Sequence, residues 1–142
     1  MSVFIRPFRK EDLAFVPIEP LASDEVYDTE FAQAIEDSGL AVTGIRNGKI
    51  AGCGGVHPID EIHGEIWLRL DKDCLNHKID TLRWIKSGMK IIEEIYPFKQ
   101  LNATIQSCFD SSIKLVERLG FGRTQEITDN GKKWLIYSKR IK

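Results

Sequence analysis

Gly64-Glu65-Ile66-Trp67-Leu68-Arg69-Leu70-Asp71 opens the stretch of sequence that sets the architecture. Ile66, Leu68 and Leu70 alternate with Glu65, Trp67, Arg69 and Asp71. That period of two predicts a strand with an apolar face and a mixed face. A helical pattern follows over 77–95. Ile79, Leu82, Ile85, Met89 and Ile92 keep helical spacing, and Trp84, Gly88, Ile91 and Ile95 form a second row. A helix apolar along two rows packs on more than one side, and Pro97 ends it. Residues 101–105 read as the next strand. Residues 110–119 read as a helix with Ile113, Leu115, Val116 and Leu119 apolar and Gly120 as its C-cap. A strand, a long helix and a strand in succession predict a parallel pair inside a mixed sheet.

On the N-terminal side, 3–7 reads as a short strand and 10–16 as a short helix stopped by Pro17 and Pro20. Residues 24–37 read as a second helix that ends at Gly39. Asn47-Gly48 separates the apolar runs 40–46 and 49–56, a hairpin signal because a type I′ turn needs positive φ at both central positions. Gly52, Gly54 and Gly55 weaken the second run as a strand but permit close backbone approach. At the C-terminal end, 121–127 and 133–138 are strands joined through Asp129-Asn130-Gly131. The predicted order is β-α-α-β-β-β-α-β-α-β-β, a mixed α/β (α+β) fold in a single domain, 1–142.

Bulk properties narrow the function. The chain has 142 residues, 42% hydrophobic and 29% charged, with a formal net charge of −1. No global positive field would draw in a polyphosphate backbone, so no nucleic-acid partner is expected. No apolar run approaches a bilayer span, so no membrane partner is expected either. The opening Met1-Ser2-Val3-Phe4-Ile5-Arg6-Pro7 turns charged before a signal-peptide core could form, which predicts a cytoplasmic protein. Cys53, Cys74 and Cys108 are odd in number and widely spaced, and His57, His63 and His77 lack ligand spacing relative to them. Neither a disulfide framework nor a metal site is expected.

Two stretches carry a family resemblance. Phe4-Ile5-Arg6-Pro7-Phe8 followed by Glu11-Asp12-Leu13 looks like the first strand and helix start of the GNAT superfamily of acyl-CoA-dependent N-acyltransferases. Residues 112–121, ending in Leu119-Gly120-Phe121, resemble that family's last helix. The chain is also similar to small GNAT-like proteins of tailed bacteriophages and prophages. They share the order Glu65-Ile66-Trp67-Leu68, a long helix after Asn76-His77, then Tyr96-Pro97 and Leu119-Gly120-Phe121.

The resemblance implies a GNAT fold and acetyl-CoA as acyl donor. The acceptor it implies is an amine on a small molecule or peptide, and the protein a monomer or homodimer. The phage likeness implies an alternative, a non-catalytic structural, assembly or host-interaction protein with a phage or host partner, virion-associated if phage-encoded. The chain departs from the superfamily pattern in two places. The segment 71–79 lacks the glycines of the usual pyrophosphate-binding turn and carries Asp71 and Asp73. Val116 stands where many relatives have a tyrosine that protonates the leaving thiolate.

Residue by residue, the resemblance implies Glu65 as general base, with a solvated strand-end carboxylate as the plainer reading. Tyr96, Ser107 or Cys108, or else water, would replace the missing acid. Cys108 could alternatively form an acyl-thioester. Backbone groups near Leu68, Arg69 and Leu70 would hold the pantetheine arm. Lys72, Asn76, His77, Lys78 and Ile79 would hold the pyrophosphate, with Phe109 at the start of the last helix. Trp67 and Arg69 could line the acceptor groove or form a packing pair. His57 and His63 flank the turn before the strand and could relay a proton or sit on the surface.

Residues 14–45 contain no Lys, Arg or His but include Asp24, Glu25 and Asp28. They form either an acidic wall that selects a cationic amine or a solvated helix face. The terminal Lys132, Lys133, Lys139, Arg140 and Lys142 read as a charged edge strand, or as a contact for CoA phosphate or an acidic partner.

Overall fold

The computed structural model describes residues 3–15 and 29–141. Among these, seven strands form one sheet in the order β1-β2-β3-β4-β5-β7-β6. β1 is Phe4–Pro7, β2 Ala41–Arg46, β3 Lys49–Pro58 and β4 His63–Leu70. β5 is Gln100–Gln106, β6 Gly122–Asp129 and β7 Lys132–Arg140. The helices are α1 (Thr29–Ser38), α2 (Lys78–Ile95) and α3 (Asp110–Arg118), with 3₁₀ turns at Lys10–Phe15 and Lys72–Asn76. Every neighbouring pair is antiparallel except β4 and β5, which run parallel as the crossover through α2 requires.

The hairpins form as their turn residues dictate. Asn47 and Gly48 have φ of 51° and 76°, and Asn130 and Gly131 have 51° and 75°, both pairs as in type I′ turns. Gly120 follows α3 at φ 96°, a conformation costly to any residue with a Cβ.

The sheet buries both faces between β2 and β4. On one, Val56, Ile66 and Leu68 meet Trp84, Ile85 and Ile92 of α2. The same core runs on under α3 through Leu101, Ala103, Ile105, Val116 and Leu135. On the other, Phe8, Ile35, Cys53 and Trp67 form a smaller cluster. The alternation read in 64–71 therefore separates two cores.

Two expectations are modified, and a third is described only in part. The buried row of α2 is Thr81, Trp84, Ile85, Gly88 and Ile92, whereas Ile79 is 71% exposed. At 100° per residue Ile79 points about 140° away from Trp84. Ile91 and Ile95 also emerge, beyond the point where Gly44 and Val42 receive Trp84 and Gly88. The basic terminal strand β7 is internal to the sheet, and the edge is β6, exposed along its whole length. The predicted helix 24–37 is described from Thr29 onward, and its first residues lie outside the described ones.

Candidate active site

β4 and β5 pair over only three rungs: His63 with Gln100, Gly64 with Leu101, and Glu65 with Asn102. Beyond that point β4 stays registered with β3 as far as Leu70, and β5 with β7 as far as Gln106. The two strands therefore part after Glu65 and leave a cleft between their C-terminal halves. The direction of the backbone groups follows from the ladder. Asp71 N–H donates to Ala51 C=O at 2.8 Å, so odd-numbered residues of β4 bond β3. Even-numbered ones face β5, and from Leu68 onward they have no rung there. Leu68 and Leu70 thus present backbone N–H and C=O groups to the cleft. Obligatory hydrogen-bonding groups on an open edge are a ready template for an extended, amide-bearing ligand.

A row of polar side chains crosses the sheet at the fork. His57 stands opposite Glu65 on β3, and Asn102 opposite Glu65 on β5. Asn102 pairs in turn with Ser138 of β7. The Asn102 Oδ1 accepts from Ser138 Oγ at 2.8 Å and from Gln100 Nε2 at 2.9 Å. Ser138 Oγ lies 3.4 Å from Thr124 Oγ1. Glu65 is half-buried at the centre of this row. The Trp67 ring on the same face stacks on His57 at 6.1 Å and meets the Phe8 edge at 5.6 Å. Trp67 is only 4% exposed, so it forms a packed wall beside Glu65. Arg69 stands two residues further along that face, half-buried and opposite Cys53. Burial pushes the Cys53 thiol up to about 12, which keeps it protonated and inert.

The end of β4 leads to the candidate anion-binding turn. The N-cap of α2 is His77, which makes no side-chain capping bond. The first-turn N–H groups of Lys78, Ile79 and Asp80 thus have the orphan status of any helix start. His77 Nε2 is 3.7 Å from Asp73 Oδ2, and Asn76 Nδ2 donates to Asp73 Oδ1 at 3.4 Å. One of the two acids in this turn is therefore already engaged by its neighbours. Lys78 and Ile79 are exposed at the helix start, and Lys72 belongs to the 3₁₀ turn before it. Phe109 is the N-cap of α3, just past the end of β5, half-buried against the main core.

The acid candidates separate. Tyr96 caps the C-terminus of α2 and lies on Phe98 at 4.3 Å, at the closed end of the β4–β5 pair. Ser107 and Cys108 follow β5 at the open end, and Cys108 is exposed. The seven residues of β5 put roughly 20 Å between these groups. Val116 is fully buried in the core. His63 closes its own turn, with Nδ1 at 2.8 Å from Asp60 Oδ2. Asp24, Glu25 and Asp28 lie outside the described residues.

Asn102 and Ser138 were not singled out in the sequence. The alternation of 101–105 places Asn102 opposite the core residues, but only the register reveals that it borders Glu65.

No family model and no curated protein sequence matches the chain. Solved structures do match. Ard1 from Thermoplasma volcanium superposes with a TM-score of 0.79 at 11% identity, over 99% of each chain. The ribosomal-protein-alanine N-acetyltransferase of Brucella melitensis gives 0.75 at 16% identity, over 97% of this chain and 99% of its own. A GNAT-family acetyltransferase from Elizabethkingia anophelis with acetyl-CoA bound gives 0.71 at 16%, over 99% of each. At these identities the likeness establishes the fold: a mixed seven-stranded sheet with the GNAT arrangement of strands and helices.

Proposed function

We propose that this protein is an acyl-CoA-dependent N-acyltransferase that moves an acetyl group to an amine on a small molecule or a peptide. The observation that carries the reading is the fork itself. Backbone groups at Leu68 and Leu70, which have no rung with β5 among the described residues, lie beyond a half-buried carboxylate at Glu65. A peptide amine as acceptor draws support from the fold neighbour described as a ribosomal-protein-alanine N-acetyltransferase.

The residues present fit acetyl-CoA. The open edge of β4 offers donors and acceptors to the amides of a pantetheine arm, and the uncapped start of α2 offers N–H donors to a diphosphate. Asn76, His77 and Lys78 stand at that helix start, and Lys72 one turn before it. The absence of glycine in 71–79 leaves these backbone donors in place. Acetyl-CoA supplies an activated thioester, so the chain has to position an amine and take its proton. Glu65 does so directly or through one water, within the row formed by His57 and Asn102. Trp67, packed against the Phe8 edge, stands two residues from Glu65 on the same face of β4. A thiolate leaves readily at neutral pH, so the buried Val116 is no obstacle and water serves as the acid.

A non-catalytic binding role is the second reading, and it is favoured by the distance of Tyr96 and Cys108 from Glu65 along the strands. Titration with acetyl-CoA separates the two. Saturable binding is expected, and absence of binding at millimolar ligand would sink the enzymatic reading. Glu65→Gln should lower kcat by about 100-fold or more at neutral pH while leaving acetyl-CoA affinity unchanged. An unaltered kcat removes Glu65 from the role.

A further inference from the structure

β6 is the long open edge of the sheet. The opposite edge, β1, has four residues, whereas β6 has eight and all of them are exposed. Such an edge carries a row of backbone donors and acceptors, which proteins usually blunt with lysine, proline, a bulge or a covering element. β6 contains no lysine and no proline. Its bulge lies at one end, between Arg123 and Gln125, and residues 125–129 pair with β7 without interruption. The charge at its centre is compensated within the chain, because Glu126 is bridged by both Arg123 and Lys133.

Register fixes which groups this edge presents. Ser107 N–H donates to Lys133 C=O at 2.9 Å, so odd-numbered residues of β7 bond β5 and even-numbered ones bond β6. Trp134 and Ile136 therefore exchange hydrogen bonds with Ile127 and Gln125. The backbone groups of Glu126 and Thr128 point the other way, off the sheet. The side chains divide as well. Leu135 and Tyr137 enter the main core, so Glu126, opposite Leu135, lies on the helix side. Ile127 stands opposite Trp134 on the other side and is 41% exposed. Trp134 and Ile136 are half-buried there.

We infer that β6 pairs antiparallel with β6 of a second copy, about a two-fold axis at Ile127. The outward backbone groups have to meet one another, so the possible registers are few. A pairing centred on Gln125 runs into the bulge, and one centred on Asp129 runs into the turn. A centre at Glu126 sets two carboxylates face to face, and a centre at Thr128 sets Ile127 against Asp129. The centre at Ile127 opposes Glu126 to Thr128 and Gln125 to Asp129, so no like charges meet directly. The outward groups of Glu126 and Thr128 then close about four hydrogen bonds between the copies. Ile127 meets Ile127 at a position without hydrogen bonds, where cross-strand side chains come closest. An apolar strip runs from Trp134 through both isoleucines to Trp134 of the second copy. The pairing uses the same residues on both sides, so it closes at a dimer. It does not rest on the acyl-CoA reading.

Sedimentation equilibrium of the whole chain, from micromolar to submillimolar concentration, should show a reversible monomer–dimer equilibrium. One pair of strand edges buries less than a standard stable interface, which keeps the association weak. Ile127→Lys puts two ammonium groups at the axis. Thr128→Pro removes an outward N–H and no bond to β7. Each variant should be monomeric at every concentration and still unfold cooperatively. Cross-linking in a Cys108→Ser background, which removes the exposed native thiol, reads the register. Ile127→Cys should give a disulfide-linked dimer on mild oxidation, because residues opposed at such a position lie within disulfide reach. Gln125→Cys, also exposed but opposite Asp129, should not. A wild-type chain that stays monomeric overturns the inference, as does a dimer that survives both Ile127→Lys and Thr128→Pro. Cross-linking of Gln125→Cys as fast as Ile127→Cys overturns the axis. Acetyl-CoA titration is a separate readout, so either reading can fail and leave the other standing.

Discussion

Asp12 carries the densest polar contact in the described structure. Its carboxylate is 3% exposed and accepts four hydrogen bonds. Arg6 supplies two, at 2.9 and 2.8 Å, the Arg9 N–H one at 2.8 Å and the Thr43 hydroxyl one at 2.7 Å. Burial pushes its pKa up, but the donors from Arg6, Thr43 and Arg9 outweigh it and hold the group below the usual carboxylate value. A folded-state pKa below the unfolded one stabilises the protein fully above the unfolded value, and that contribution is lost as pH falls through the folded one. Urea denaturation should therefore show a loss of stability below about pH 4. Asp12→Asn should cost about 2–4 kcal/mol at pH 7 and flatten that acid slope. An acid slope unchanged in Asp12→Asn would assign it to other carboxylates. In the sequence Asp12 was one acid among 21 Asp and Glu residues. Its partners come from positions 6, 9 and 43, and no periodicity brings those together.

At the scale of elements, the seat of α2 explains Gly44 of β2 and Gly88 of the helix itself. A Cβ on Gly44 would lie 2.9 Å from the Trp84 ring, and one on Gly88 would lie 2.7 Å from Val42 Cγ2. Valine has the higher strand propensity, yet Gly44→Val should destabilise by about 1–3 kcal/mol because the ring has nowhere to go. Gly122 on the exposed strand β6 has open space at its Cβ position. Gly122→Val is the control, and thermal melts should show it neutral or slightly stabilised. Equal losses at the two sites would show that strand conformation, and not the Trp84 contact, sets the cost. The elements themselves were legible: the type I′ turns, the alternation of β4 and the helical rows follow from local chemistry. Which side of α2 is buried was only half legible. Two apolar rows were visible, but Ile79 lies on the side of the helix opposite its buried row, and Ile95 emerges beyond the contacts of Trp84 and Gly88 with β2.

For the molecule as a whole, the separation of β4 from β5 is the feature on which the proposed acyltransferase reading rests. Native-state hydrogen exchange reads it directly. The N–H groups of Leu68 and Leu70 should exchange faster than that of Trp67, which bonds β3, and acetyl-CoA should protect them. Protection confined to the start of α2 would place the ligand at the helix and off the strand edge.

The order of strands and helices, the parallel pair and both hairpin turns were written in the chain itself, because turn chemistry and hydrophobic period act over a few residues. The length of the β4–β5 pairing was not, nor was the row from His57 through Glu65 and Asn102 to Ser138. Each depends on register between segments far apart in sequence, and register is settled by how two cores pack on opposite faces of one twisted sheet.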